Sequence, residues 1–109
     1  MYGAEYTFVA ANKMDENNTE KYAIAGRYCE SGDIFGKDIL LPKMSAGDII
    51  ASFATGAYNA SMFLDYNRVG KPAAVLVKDG KADIISRRQT YEDLARFDQI
   101  PERLKNAKN

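Results

Sequence analysis

Proton transfer in this chain falls to cysteine, tyrosine, lysine or a carboxylate, because its 109 residues contain no histidine. The same absence removes Ser-His-Asp and Cys-His nucleophilic catalysis and the two-histidine metalloprotease motif, each of which needs an imidazole. The single cysteine, Cys29, has no second thiol to pair with inside the chain. A structural zinc site needs about four Cys or His ligands, so no metal is expected. Cys29 lies in Gly26-Arg27-Tyr28-Cys29-Glu30-Ser31-Gly32-Asp33, where a thiol stands beside a carboxylate in turn-forming company.

Charge and hydropathy exclude further classes. Fifteen Lys and Arg balance fifteen Asp and Glu, for a net charge of zero. Phosphate binding rests on clustered cations, and the most basic stretch, Arg87 to Lys108, is interleaved with Glu92, Asp93, Asp98 and Glu102. No nucleic-acid partner is expected, and the 11% aromatic content alone does not make an oligonucleotide-binding barrel. The longest strictly apolar run, Ala73 to Val77, is far short of the ~20 residues that span a bilayer. No membrane partner is expected either. With no basic, apolar leader after Met1 and a lone thiol that suits a reducing compartment, the expected location is cytoplasmic.

The elements that must hold Cys29 are strands. Tyr6 to Ala11 is rich in aromatic and β-branched residues, and the polar stretch Asp15 to Glu20 that follows is turn material. From Lys21 to Tyr28 the period of two puts Tyr22, Ile24 and Tyr28 on one face and Lys21 and Arg27 on the other. By that parity Cys29 leaves the strand on the side opposite Tyr22 and Ile24, unless a bulge at Gly26 resets the alternation. Ile34 to Leu41 and Asp48 to Ala54 predict two more strands. Asp79-Gly80 between Val75-Lys78 and Lys81-Ile85 predicts a two-residue type I′ hairpin. Its register sets Val77 against Ala82, Val75 against Ile84, Leu76 against Asp83 and Ala74 against Ile85.

Helix enters late in this reading. Thr90 is an N-cap ahead of Tyr91-Glu92-Asp93, with acids in the first turn and Leu94 and Phe97 on one face. Pro101 opens a second piece at Glu102 to Lys105. Several short strands and one or two C-terminal helical turns in a chain of this length suggest one small barrel or sandwich domain.

Three stretches carry a resemblance. Cys29-Glu30-Ser31-Gly32-Asp33 resembles the Cys-Glu-Ser-Gly-Asp signature of the diaminopimelate decarboxylases. Thr55-Gly56-Ala57-Tyr58-Asn59-Ala60-Ser61-Met62 with Tyr66-Asn67 resembles the family's Gly-Ala-Tyr segment, and Arg87-Arg88-Gln89-Thr90-Tyr91-Glu92-Asp93-Leu94 its closing Arg-Arg-Glu-Thr-Tyr-Glu-Asp-Leu. The motifs agree in order across nearly the whole chain. One departure is Phe63-Leu64-Asp65, where the family has small and polar residues before Tyr-Asn.

The resemblance implies a pyridoxal 5′-phosphate (PLP) enzyme that decarboxylates meso-2,6-diaminopimelate to L-lysine and carbon dioxide in lysine biosynthesis. Members join an N-terminal (β/α)8 barrel, which carries the Schiff-base lysine, to a C-terminal β-domain like that of alanine racemase. Their active sites are shared between the subunits of a homodimer. Residues 1–109 would be that single C-terminal domain, mainly β, a small Greek-key β-barrel or sandwich with one or two short C-terminal helices. The barrel domain would be missing, and the chain alone inactive.

By the same resemblance Cys29 is the catalytic proton donor, and a thiol with an ordinary pKa near 8.5 is protonated yet transferable at neutral pH. Glu30 accepts from the substrate's distal ammonium. Tyr58 reaches the cofactor phosphate and lies near the substrate, and Tyr2 contacts the distal carboxylate. Ser31-Gly32-Asp33 supplies the turn, with Gly32 at a positive φ and Asp33 capping local amides. The alternative is a free-standing, non-catalytic β-module used for protein association.

Overall fold

A computed structural model of the chain describes residues 4–105. They fall into two compact units, Met1–Phe63 and Leu64–Asn109. Together they form a small, mainly sheet structure with a few short helices.

In the first unit β1 (Phe8–Ala10) pairs antiparallel with β4 (Ile50–Ser52), Phe8 opposite Ser52 and Ala10 opposite Ile50. β2 (Glu20–Ala25) pairs antiparallel with β3 (Ile34–Leu41), Glu20 opposite Leu41 and Ala25 opposite Ile34, with irregularities on either side of Ile24. Phe8 and Ala10 share a face of β1, as the period of two requires, and both are buried with Leu41 at the end of β3. Phe8 packs over β3, where a Cβ on Gly36 would lie 3.5 Å from its ring. Burial of a side chain such as Phe8 or Leu41 contributes about 1.5–3 kcal/mol.

Polar side chains tie the turns to this core. The Asp48 carboxylate accepts from Lys13 Nζ at 2.9 Å, Asn12 Nδ2 at 2.9 Å and the Ser45 amide at 2.7 Å. Asn12 Oδ1 accepts from the Ile49 amide at 2.9 Å, and Lys13 Nζ donates to the Lys43 carbonyl at 2.7 Å. The Lys13 ammonium, the Asn12 amide and the Ser45 N–H hold the Asp48 pKa down at about 2, because each favours the charged carboxylate. Tyr22 on β2 donates to Glu20 at 2.7 Å and accepts from the Met44 amide at 2.9 Å.

Two expectations are corrected here. The strand expected over Lys21–Tyr28 ends at Ala25, so the parity argument does not reach Cys29. Helix does not wait for the C-terminus: α1 (Gly56–Ser61) follows β4 directly. Ala54, at φ 56°, turns the chain out of β4. The Met62 amide then donates to the Tyr58 carbonyl at 2.8 Å, and the Ser61 hydroxyl donates to the Ala57 and Tyr58 carbonyls. Six residues give too little length for an apolar period to show.

In the second unit β5 (Ala74–Lys78) and β6 (Lys81–Ser86) form the expected hairpin, with Asp79 at φ 51° and Gly80 at φ 72°. Two successive positive φ values are what a type I′ turn demands. Lys78-Lys81, Val77-Ala82, Leu76-Asp83 and Val75-Ile84 pair in register, but Ala74 pairs with Ser86 rather than Ile85, because an irregularity intervenes. Every residue of both strands is exposed.

Tyr66–Arg68 makes one 3₁₀ turn with Asn67 and Arg68 both at positive φ, and Arg68 pairs with Asp98 at 2.8 Å. α2 (Tyr91–Ala95) starts at Thr90 as expected, and Thr90 and Asp93 exchange bonds in a capping box. Arg87 grips the same Asp93 through two bonds of 2.5 and 2.7 Å, which holds that carboxyl well below the usual carboxylate range. α3 (Glu102–Lys105) follows Pro101. Among the described residues no helix is long and apolar enough to cross a membrane.

Candidate active-site turn

Cys29 and Glu30 sit together in the connection from β2 to β3, and the connection is shaped by its own residues. The β2–β3 ladder extends one step past the strands, with the Gly26 amide donating to the Asp33 carbonyl at 2.8 Å. Inside it, the Glu30 amide donates to the Tyr28 carbonyl at 2.8 Å, which makes Cys29 the middle of a three-residue turn. The Asp33 amide donates to the Glu30 carbonyl at 3.2 Å, and the Ile34 amide to the Gly32 carbonyl at 2.8 Å. Cys29 at the apex is exposed.

Two carboxylates fold back onto this backbone. Glu30 Oε1 accepts from the Gly32 amide at 2.8 Å, and Asp33 Oδ2 accepts from the Tyr28 amide at 2.9 Å. Asp33 therefore caps a local amide, as expected. Gly32 does not take the expected positive φ; the described glycines that do are Gly47 and Gly80. Glu30 instead uses Gly32's small size and its N–H. Its Oε2 lies 2.7 Å from where a Cβ on Gly32 would stand.

Tyr58 is placed on a different element, the middle of α1, with 76% of its surface exposed. A phenol so presented can donate a hydrogen bond to an anion while its ring packs on a partner. Tyr2 lies outside the described residues. Sequence reasoning missed Gly26, which it treated only as a candidate bulge. A Cβ there would overlap the Asp33 carboxylate, so its place in the site shows only when Asp33 folds back in three dimensions.

An exposed thiol next to a carboxylate, on a backbone pinned from both sides, has the chemistry for proton delivery and for accepting from a cation. The sequence profile of the pyridoxal-dependent decarboxylase C-terminal sheet domain matches residues 1–56. The chain belongs to that family. Its relatives include diaminopimelate decarboxylases from Synechocystis sp., 52% identical over 94% of this chain, and from Bacillus subtilis, 45% identical over 90%. A crystal structure of the M. jannaschii diaminopimelate decarboxylase superposes with a TM-score of 0.83 at 39% identity over 95% of this chain. The chain spans 22% of the length of the first two relatives and 24% of the third.

Proposed function

We propose that this sheet domain is the C-terminal part of a diaminopimelate decarboxylase, which converts meso-2,6-diaminopimelate to L-lysine and carbon dioxide. The observation that carries the reading is the Cys29-Glu30 turn, held ready at the surface of a domain whose relatives bear that name. A solved M. jannaschii relative, 43% identical over 82% of this chain, is in complex with L-lysine, the product the proposed reaction releases.

The donor set fits PLP as a group completed from elsewhere. An exposed phenol at Tyr58 suits its phosphate, and the thiol and carboxylate of the turn suit a bound amino acid. PLP bound there would supply the electron sink needed for loss of the carboxylate from the D-configured Cα. Cys29 Sγ–H delivers the proton that takes the place of the departed carbon dioxide at that carbon, and the thiolate regains a proton from water. Glu30 accepts from the distal ammonium through a charge-assisted bond, which favours diaminopimelate over amino acids without a distal cation. Tyr58 donates to the phosphate, and Tyr2 to the distal carboxylate.

Completion of the site calls for a (β/α)8 barrel domain carrying the Schiff-base lysine and for a homodimer in which Cys29 serves the partner's site. The fold proposed for the domain is the small Greek-key β-barrel or sandwich of an alanine racemase-like domain, and its proposed location is the cytoplasm. The test is reconstitution with the matching barrel domain, assayed on diaminopimelate beside ornithine, arginine and carboxynorspermidine. We expect turnover of diaminopimelate alone, and loss of about 10²–10⁴-fold in kcat for Cys29→Ala. Turnover of Cys29→Ala within twofold of the parent would overturn the assignment of Cys29. Lysine formation by this chain and PLP alone would overturn the division of the site.

A further inference from the structure

We propose that Asp33 is a positioning residue for Cys29, acting through the Tyr28 amide in a space that Gly26 keeps open. The inference rests on the reading of Cys29 as proton donor and adds to it a group that holds the backbone next to the thiol.

Cys29 has left β2 by four residues and has not yet reached β3, so the strand ladders do not fix it. The three-residue turn around it closes on the Tyr28 carbonyl, and its orientation follows that of the Tyr28 peptide unit. Asp33 reaches back five residues to hold this unit, with its carboxylate on the Tyr28 N–H at 2.9 Å. The Asp33 backbone is itself anchored, because its carbonyl accepts from Gly26 at the last rung of the ladder. The chain of support therefore runs from the β2–β3 frame to Asp33, from Asp33 to Tyr28, and from Tyr28 to Cys29.

Gly26 is the second half of the device. A Cβ at this position would fall on the Asp33 carboxyl carbon and both its oxygens, so any side chain there expels the carboxylate from its place. Tyr28 and Asp33 are both half-buried, so the bond that joins them is partly shielded from water. A carboxylate accepting from a backbone N–H in such a place is stronger than a neutral bond. Placement has kinetic weight: a misplacement of about 1 Å in a reacting group can cost on the order of 10²-fold in rate. The Glu30 backbone closes the same turn on the Tyr28 carbonyl, but its carboxylate has a bond of its own from the Gly32 amide, so loosening the Tyr28 unit should act more on the proton donor than on substrate binding.

The test joins two readouts. Amide hydrogen exchange is followed at Tyr28 in the 109-residue chain, and kcat and KM for diaminopimelate in the enzyme reconstituted with the barrel domain. For Asp33→Ala and for Gly26→Ala we expect Tyr28 exchange at least tenfold faster, with the amides of β1 unchanged. We expect kcat lowered about 10- to 100-fold with KM moved less than threefold. Asp33→Asn keeps an oxygen acceptor and should restore both readouts to within about threefold. The double variant should be no slower than either single, because both remove one contact.

Unchanged Tyr28 exchange in Asp33→Ala, or additive losses in the double variant, would overturn the proposal. If Asp33→Ala does not fold, Asp33→Asn and Gly26→Ala still decide it: lost protection at Tyr28 in the former, or retained protection in the latter, would sink the idea. The parent reading is separated by Cys29→Ala. A Cys29→Ala enzyme at full rate removes the proton donor itself, whereas a slow Cys29→Ala beside a fast Asp33→Ala removes only the positioning role.

Discussion

The two units of the chain are held by different forces. Met1–Phe63 has a small core of Phe8, Ala10 and Leu41, with Asp48, Asn12 and Lys13 binding the turns around it. Among the described residues of Leu64–Asn109 none is buried, and Leu76, Val77, Ile84 and Ile85 stand in the open on the hairpin. That unit is described instead by directional bonds: Arg87 on Asp93, the Thr90 capping box, Arg68 on Asp98, and Gln89 paired twice with Lys71. The lesson is one of division of labour. Directional bonds select a conformation but contribute little net stability, about 0.5–1.5 kcal/mol for a typical one, whereas apolar burial is what drives folding.

The largest effect that sharpens this contrast is a pair of truncations. Leu41→Ala, at a site only 1% exposed, should destabilise the first unit by about 2–5 kcal/mol in urea denaturation. Ile84→Ala, at a site 70% exposed, should move the second by no more than about 0.5 kcal/mol. Equal losses at the two sites would erase the distinction.

Acid should act next, and on the first unit through Asp48. Its carboxyl titrates near 2 when folded, below the ordinary 3.8, so the unfolded chain takes up the proton first. The stability it contributes is therefore complete above pH about 4 and is lost as the pH falls through about 2. Denaturation curves across that window should show the loss in the parent and a flatter response in Asp48→Asn; the same slope in both would exclude Asp48 as the cause.

The smallest effect probes the second unit where burial plays no part. A Cβ on Gly80 meets nothing within 4 Å, so Gly80→Ala tests backbone conformation alone, at φ 72°. It should weaken the hairpin by about 1 kcal/mol, read as faster amide exchange in β5 and β6. Faster exchange in β1 and β4 as well would mean that the two units do not respond separately.

What the sequence made legible was local. Asp79-Gly80 fixed the hairpin and three of the four pairs expected for it, since turn chemistry two residues long sets the register. Thr90 and Asp93 announced α2 for the same reason. The end of β2 was not legible from strand parity, because the Asp33 side chain takes over from the ladder seven residues downstream of Gly26. α1 was hidden by its brevity and by the absence of an apolar face. In the candidate site, Cys29, Glu30 and Tyr58 came from motif resemblance. Composition had narrowed the chemistry no further than to cysteine, tyrosine, lysine and carboxylates.

The 26–33 turn has one more consequence. Each bond described as shaping it, from the Gly26 amide to the Ile34 amide, closes within nine consecutive residues. None of these bonds spans more than seven positions in the chain, so once β2 and β3 have paired, closing them costs little further chain entropy.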